Sequence, residues 1–513
     1  MLLGREAEII CGVAPTKRRK PNDELRINYE GRGPKTAYFV IRASSFLGHS
    51  SFVLRHSRMK RILGKIVDVR PEELRAVLLG FVFNFIVLGS YYVVRPIRDD
   101  IAAAGGIETL PWMYTGTLVT MLFANALFSA IVARMSRRRF IPIAYRFFMA
   151  NLVIFYVLMH TLTPAQNVWV GRAFYVWVSV FNLFVVTLFW AFMTDVFNSE
   201  QAKRLFAFIS VGGSIGAIVG PIITVTLVHK LGAANLILVT AAMLEAAPWC
   251  VKFFPTEFAR QPARQPRDPD EVTSKLAPRD PSTGARDDPA AEQPIGGGIL
   301  AGITHVVRSP YLLGICGFVL LYTVTTTFSY FQQTEITGHQ FQDRNARTAF
   351  FAQLDLVVNT LTLVLQLLIT GHLMKRLGVG ITLVTMPVLS MIGFIALGFA
   401  PTLGLLAFFQ VARRATNFGF TRPAREVLFT VLRREDKYKA KSLIDTFVYR
   451  SGDQIGAWSY SGLRALGLEL TGISFVAVPL TALWCALCFW LGKKQSELAL
   501  VQRQEKQEPS VTI

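Results

Sequence analysis

Residues 402–432 read TLGLLAFFQVARRATNFGFTRPAREVLFTVL, and this stretch combines the two features that decide the fold. Its first ten residues have the apolar pattern of a helix that suits a lipid bilayer. A helix that enters the bilayer at Thr402 places Arg413 about 16 Å deep, near the middle of a hydrocarbon core of roughly 30 Å. A charge at that depth costs at least ~2.5 kcal/mol, so we expect Arg413 and Arg414 to face the protein interior or a water-filled cavity.

The composition is that of a membrane protein. Of the 513 residues, 52% are hydrophobic and 17% are charged, and the charged share is below the ~25% of an ordinary soluble protein. Lysines and arginines in cytoplasmic loops explain the net charge of +20 better than nucleic-acid binding does. The five cysteines form no disulfide framework, and Cys485 and Cys488 lie within an apolar span, which favours packing over a redox or metal role.

Apolar stretches of about 20 residues recur along the chain, and this is the length that a helix needs to cross a bilayer. We therefore predict an all-α polytopic membrane protein with twelve transmembrane helices in two six-helix halves. The predicted spans are 74–95, 110–133, 140–163, 168–195, 205–229, 233–254, 310–333, 348–370, 378–399, 402–424, 441–465 and 470–491.

The regions between and beyond the halves are polar. Residues 1–70 have no charged n-region followed by an apolar core, so they are not a secretory signal peptide; they predict a disordered tail, and Met59 is a second candidate start. The linker 255–309 is rich in Pro, Arg and Asp, cannot bury a core, and predicts disorder. The predicted regions are a tail 1–70, a first half 71–254, the linker 255–309, a second half 310–492 and a tail 493–513.

The distribution of basic residues among the loops predicts the orientation. By the positive-inside rule, the basic loops and both termini lie in the cytoplasm, and we expect a multi-pass protein of the cell (inner) membrane. The cations that set this orientation are Arg134, Arg137, Arg138, Arg139, Lys203, Arg204, Lys375, Arg376, Arg433, Arg434, Lys493 and Lys494.

The two halves show a weak internal repeat. Gly212 and Gly452 are 240 residues apart, and so are Gly216 and Gly456. Small residues at four-residue spacing predict close helix packing, with a sliding contact between gating helices as the alternative. Two parallel six-helix halves resemble the major-facilitator architecture, and residues 371–378, GHLMKRLG, resemble the short basic loop motif G-x-L-x-[DK]-R-x-G of that superfamily.

Polar residues within or beside the spans are the candidate site. The deep arginines have no local counter-ion, which favours a substrate or a carboxylate on another helix as their partner. Arg95 follows about 19 apolar residues, so we expect it near the outer surface, either as an anion-attracting gate or in a snorkelling interfacial cluster. The candidate substrate-binding residues are Arg413, Arg414, Asn417, Arg95, Arg98, Asn182, Gln332, Gln333 and Arg146.

A second set of residues is a candidate for coupling or gating. Several of them share a helix face at three- and four-residue spacing, which suits inward-facing polar clusters. Structural ion pairs that hold helices together are the alternative. The members of this set are Asp355, Asn359, Asp445, Arg450, Asp453 and Asp195.

Enzymatic motifs are missing from the sequence. The seven histidines include no i,i+4 pair, and the chain contains neither HExxH nor a G-x-x-x-x-G-K-[ST] phosphate loop. We therefore predict a protein that is not an enzyme and has no cofactor or metal.

Two segments resemble a known family. Residues 95–117, RPIRDDIAAAGGIETLPWMYTGT, and residues 177–221, WVSVFNLFVVTLFWAFMTDVFNSEQAKRLFAFISVGGSIGAIVGP, are similar to bacterial ATP/ADP translocase-like proteins. These nucleotide exchangers are regarded as major-facilitator-like, and the similarity runs from about residue 70 to residue 492. The resemblance implies a cavity lined by spans one, four, seven and ten, with ATP or ADP as a candidate solute.

Three functions are consistent with these patterns. The first is a secondary transporter, acting as a monomer, that moves an anionic organic solute by alternating access. Arginine favours this reading because its guanidinium group binds phosphate and carboxylate in a bidentate manner. The alternatives are a proton-coupled exporter of amphipathic compounds that uses Asp355 or Asp445 as the proton carrier, and a membrane scaffold or sensor whose linker binds partners.

Overall fold

The computed structural model describes residues 69–70, 72–132, 137–255, 309–432, 440–441 and 443–507. All of them belong to one compact unit, Ile62–Ile513. The predicted tail 1–70 and linker 255–309 lie almost entirely outside the described residues. The domain boundaries stay predictions.

The described residues form twelve helical segments, six on each side of the undescribed linker. The first six are α1 Leu74–Gly105, α2 Leu110–Val132, α3 Arg137–Thr161, α4 Pro164–Val196, α5 Ser199–Leu231 and α6 Leu236–Phe253. Polar caps define where several of them begin; the Asn198 side chain, for example, accepts a hydrogen bond from the Gln201 backbone at the start of α5.

The second six helices are less regular. They are α7 Pro310–Gln340, α8 Arg344–Leu368, α9 Thr370–Phe399, α10, α11 and α12 Leu470–Gln507. Helix α10 comprises an α-helix, a π-helical turn and a second α-helix, at Leu403–Thr416, Asn417–Thr421 and Arg422–Leu428. Helix α11 begins with a π-helical turn, Ile444–Val448, and continues as Tyr449–Ala465.

Within the described ranges, nine helices are long and apolar enough to cross a membrane. The other three are α2, α10 and α11, and the last two carry charges and π-helical turns. In α10 the irregularity has a local cause. Pro423 has no backbone N–H and cannot donate to the carbonyl of Gly419, so regular α-helical bonding is lost in the turn that precedes it. Such π-helical turns are frequent at functional sites.

The glycine stripe of α5 packs against α1, as predicted. A Cβ atom on Gly212 or Gly216 would overlap a backbone carbonyl oxygen of α1, and one on Gly220 would lie 2.7 Å from the Gly89 carbonyl oxygen. The repeat-related Gly452 and Gly456 of α11 pack closely against α7, where an added Cβ would first meet the side chains of Thr323 and Thr327. Glycine is required on α5 because any side chain would push the two helices apart.

Buried side chains divide into clusters that follow the two halves. The largest cluster is built almost entirely from α1 to α6, and a second one from α7 to α12. A third cluster joins the halves, with Met113 and Tyr175 of the first half beside Phe331 and Tyr460 of the second. The halves therefore pack against each other through α2 and α4 of the first half and α7 and α11 of the second.

Candidate functional site

The central feature is a cavity of about 340 Å³ between the two halves. This volume lies within the range of small-molecule sites, ~300–1,000 Å³. Residues of α1, α4, α7 and α10 line it, as the family resemblance implied, and α2, α9 and α11 complete the wall. The cavity therefore lies between the two halves and is large enough for a small solute.

Arginine dominates the polar wall of the cavity. Among the described residues, two lining carboxylates accompany the lining arginines, namely Asp99 and Asp453. Arg98 donates to Asp99 at 2.7 Å, and Arg450 lies 3.3 Å from Asp453. The wall thus has an excess of positive charge, and its arginines are Arg95, Arg98, Arg413, Arg414 and Arg450.

Arg413 is buried with 2% of its surface exposed. Its guanidinium group donates to three hydroxyl groups, those of Ser390 at 3.2 Å, Thr325 at 3.3 Å and Thr326 at 2.9 Å. Among the described residues it has no carboxylate partner. Hydroxyl groups solvate the cation but leave its charge uncompensated, so Arg413 is a strong candidate for an anion contact.

Arg414 and Arg95 share one counter-ion, Asp355 of α8. The same oxygen, Oδ1 of Asp355, accepts a hydrogen bond from Arg414 at 2.5 Å and from Arg95 at 2.9 Å. Asp355 is 1% exposed. We expected each deep arginine to pair with a substrate or with a carboxylate on another helix. Arg414 has such a carboxylate, Asp355, whereas Arg413 has none within the described part of the chain.

The expectation that Arg95 lies at the outer end of its helix is wrong. Helix α1 continues to Gly105, ten residues or about 15 Å beyond Arg95. The apolar run ends at Arg95, but the helix does not, because Arg95, Arg98 and Asp99 pair with charges inside the protein. The first half consequently contributes cations to the cavity wall, namely Arg95 and Arg98.

Tyrosines form the other notable part of the wall, and sequence reasoning did not identify them. Asn417 donates to the Tyr322 hydroxyl at 2.9 Å, and the Tyr330 hydroxyl donates to Asp99 at 3.1 Å. Tyr322 and Tyr330 are eight residues apart on α7 and so share a helix face, which is the signal that could have found them. The lining tyrosines are Tyr114, Tyr175, Tyr322, Tyr330 and Tyr449.

Most of the predicted binding residues line the cavity, but two do not. Gln333 and Asn182 are in the wall, whereas Gln332, one residue and about 100° further round α7, donates to Ser474 of α12 at 2.8 Å. Arg146 lies 3.3 Å from Glu245, and 56% of its side chain is exposed. Gln332 and Arg146 are therefore helix-packing contacts, because each faces a neighbouring helix and not the cavity.

The predicted coupling residues have separate environments. Arg450 and Asp453 form their i,i+3 pair in the cavity wall. Asn359 donates to the Ala217 carbonyl at 2.6 Å and so ties α8 to α5. Asp445 lies 3.2 Å from Arg425 in a neighbouring pocket. Asp195, exposed near the end of α4, does not line the cavity.

A group of ion pairs that the sequence did not reveal lies where α1 and α7 end and α8 begins. Asp100 of α1 is held by Arg347 at 2.8 Å and by Arg344 at 3.2 Å, both from α8. Glu335 of α7 lies 3.1 Å from Arg464 of α11. The partners of Asp100 are more than 240 residues away in sequence, so local spacing contains no trace of the pairing.

These features define a class: a helical membrane protein with a charged cavity between two six-helix halves. The family model of the Major Facilitator Superfamily matches residues 77–421. The chain belongs to this superfamily, and it is a multi-pass membrane transporter and not an enzyme.

Curated relatives are similar along most of the chain. The "ADP,ATP carrier protein 1" of Chlamydia muridarum is 22% identical over 86% of this chain and 91% of that protein. The protein of the same name from Chlamydia trachomatis is 21% identical over 86% of this chain and 92% of its own length.

Solved structures share the fold. A bacterial homologue of the human lysosomal transporter Spinster, in an inward-facing and unoccupied conformation, has a TM-score of 0.53 at 12% identity, over 84% of this chain and 99% of its own. A bacterial homologue of the iron transporter ferroportin, in an inward-facing state, has a TM-score of 0.55 at 10% identity, over 83% of this chain and 100% of its own.

Proposed function

We propose that this protein exchanges anionic nucleotides, ADP and ATP among them, across the cell membrane by alternating access of the central cavity. The relatives named as ADP,ATP carriers support the solute class. The positive charge of the cavity supports an anion. In this proposal the protein acts as a monomer.

Arg413 is the observation that carries the proposal. A buried arginine whose partners are all hydroxyl groups holds a positive charge without compensation, and such a charge is costly unless an anion pays for it. A phosphate group suits this role because guanidinium binds its oxygens in a bidentate manner. A cationic drug would add like charge to the same place, which argues against an exporter of cations.

The tyrosines of the wall suit the remainder of a nucleotide. Aromatic rings stack on bases, and each such contact is worth about 1–3 kcal/mol in nucleic-acid complexes. Tyr322 and Tyr449 lie 6.1 Å apart, ring centre to ring centre, and both line the cavity next to Asn417. In this proposal the arginines bind the phosphates and the tyrosines bind the base.

The orientation is part of the proposal. The basic loops favour a cytoplasmic location for both termini in the inner membrane. The Asp100 ion pairs then close the cavity on the outer side, because α1 runs outward from Leu74 to Gly105. In this orientation the cavity is closed toward the outside of the cell.

Counterflow in proteoliposomes tests the function. Vesicles that contain the purified protein are loaded with unlabelled ADP, adenosine or buffer, and uptake of radiolabelled ATP is measured. We expect uptake only into ADP-loaded vesicles, since adenosine has no charge for Arg413 to bind. Uptake of a cationic drug without movement of any anion would contradict the proposal.

Two variants separate the alternatives. If the protein is a proton-coupled exporter, Asp355→Asn abolishes the flux that a pH gradient drives. If it is a nucleotide exchanger, a pH gradient drives no flux even in the wild type. A scaffold loses partner binding when residues 258–296 are deleted, whereas a transporter keeps its counterflow. Retained partner binding with no flux of any solute would favour the scaffold.

A further inference from the structure

Asp355 is unusual because only one of its two carboxylate oxygens accepts hydrogen bonds within the described residues. Oδ1 accepts from Arg95 and Arg414, while the buried Oδ2 has no hydrogen-bond partner within the described residues. Both arginines line the central cavity, but Asp355 itself does not. One carboxylate thus serves two guanidinium groups from behind the wall that a solute would touch.

The cluster is short of negative charge. Arg95 and Arg414 share Asp355, and Asp99 lies 3.8 Å from Arg95 and accepts from Arg98. Arg413 has no carboxylate partner among the described residues, so these four arginines are matched by two acids. An ordinary structural pair needs one acid for each base. Each guanidinium has five N–H donors, and Arg414 makes one described hydrogen bond. Donors therefore remain for an anion on the cavity side.

We infer that Asp355 is an internal counter-ion, which holds Arg95 and Arg414 while the cavity is empty and is replaced there by an anionic group of the solute. Carboxylate and phosphate bind guanidinium through the same charge-assisted hydrogen bonds, so the two compete for the same donors. This inference rests on the proposed function in taking the solute to be an anion. The ligand group that it requires is a phosphate or diphosphate.

The exchange has a mechanical consequence, because the Arg95–Asp355 pair joins the two halves. Arg95 is on α1 and Asp355 on α8, and the same two helices are joined again by Asp100 with Arg347 and Arg344. An anion that takes over Arg95 removes the tie nearest the cavity. Reorientation of the halves then depends on an occupied cavity, which makes the transporter an exchanger and prevents net leakage.

The test compares the wild type with Asp355→Asn. Calorimetry with the purified proteins measures binding of ADP and of pyrophosphate. Since the variant lacks the competing carboxylate, we expect it to bind both probes about 5- to 150-fold more tightly, the range of typical site-to-site coupling. Asp355→Glu keeps the charge and should restore the wild-type affinity. Equal or weaker binding by a folded Asp355→Asn variant overturns the inference.

A flux measurement tests the mechanical part. ADP-loaded proteoliposomes are diluted into buffer with or without ADP. We expect the wild type to release ADP only when ADP is outside, and Asp355→Asn to release it in both cases. Glu245→Gln is the matched control, because Glu245 pairs with Arg146 of the same half and neither residue lines the cavity. Release by this variant should still require external ADP. Release by Asp355→Asn that still requires external ADP overturns this part.

A second variant keeps the test decisive if Asp355→Asn does not fold. Arg95→Gln removes the tie from the other side, so we expect release without external ADP together with weaker binding of pyrophosphate. Coupled release by this variant overturns the inference. The proposed function fails separately: a wild type that exchanges no ADP, with tighter pyrophosphate binding by Asp355→Asn, refutes nucleotide exchange and supports the counter-ion.

Discussion

The two halves of this transporter are alike in packing and unlike in charge. Gly212 of α5 and Gly452 of α11, 240 residues apart, each allow a close approach to the first helix of their half. The same offset relates Arg414 of α10 to Phe174 of α4. Phe174 is fully buried in the apolar core of the first half, whereas Arg414 lines the cavity.

Helix packing and cavity charge are therefore under separate constraints in this protein. Helix contact needs small residues at fixed positions, so the repeat survives there. The cavity needs positive charge, but the charged residues need not lie at symmetric positions in the two halves. The first half supplies its arginines from α1, as Arg95 and Arg98, and not from α4.

The largest effect is expected from the charge that has no repeat counterpart. Arg413→Gln should reduce ADP counterflow about 100-fold, because truncation of a buried, hydrogen-bonded charge typically costs about 2–5 kcal/mol. The measurement is the initial rate of ATP uptake into ADP-loaded vesicles. Arg413→Lys keeps the charge without the bidentate geometry and should lose less. Counterflow within threefold of the wild type in Arg413→Gln would refute the role of this residue.

The second-largest effect is expected from the ion pairs of Asp100, which join the two halves. Asp100→Asn should shift the equilibrium between closed and open ends by about 2 kcal/mol, since it leaves Arg347 without its carboxylate. Spin labels at Ala104 and Gln342 report the distance between α1 and α8. We expect a longer distance to appear in the variant. Arg344→Gln is the matched control with a smaller effect, because 41% of the Arg344 side chain is exposed; an unchanged distance distribution in Asp100→Asn would contradict the tie.

A moderate effect is expected from the glycines, and it should differ between the halves. Gly212→Ala forces a methyl group against the backbone of α1 and should destabilise the protein by about 1.5 kcal/mol. Gly452→Ala meets the Thr323 hydroxyl, a side chain that can rotate, so the cost should be smaller. Thermal unfolding in detergent measures both variants.

Gly462→Ala is the control for this pair, because no atom lies within 4 Å of its added Cβ. The midpoint of unfolding should be unchanged in Gly462→Ala and lowest in Gly212→Ala. A lower midpoint for Gly452→Ala than for Gly212→Ala would reverse the comparison of the two packing contacts.

The smallest effect is expected from an ion pair outside the cavity. Arg146→Gln removes a half-exposed partner of Glu245 and should change stability by less than about 1 kcal/mol. Counterflow should stay close to that of the wild type, since Arg146 does not line the cavity. A loss of counterflow as large as that of Arg413→Gln would show that Arg146 does contribute to solute binding.

How far the sequence reaches can be seen from particular residues. Apolar length predicted the spans, glycine spacing predicted the contact of α5, and the depth of Arg413 and Arg414 predicted that both face the interior. Each of these is a local pattern with a direct physical cost attached to it. The twelve helices and the superfamily therefore followed from the sequence.

The remainder depended on long-range pairing. Arg95 pairs with Asp355, 260 residues away, so its apolar surroundings wrongly indicated a helix end. Gln332 and Gln333 are adjacent in sequence, and only the packing of α7 decides which of them meets the cavity. The tyrosines of the wall are equally compatible with a buried core, so composition alone does not identify them.

The most direct test of anion recognition is a comparison of ADP with adenosine. The two share a base and a sugar, so their difference in affinity isolates the diphosphate. Calorimetry with the wild type and with Arg413→Gln should show that the wild type binds ADP far more tightly than adenosine, and that the variant loses most of this difference while its affinity for adenosine is kept. Equal binding of ADP and adenosine by the wild type would contradict the account.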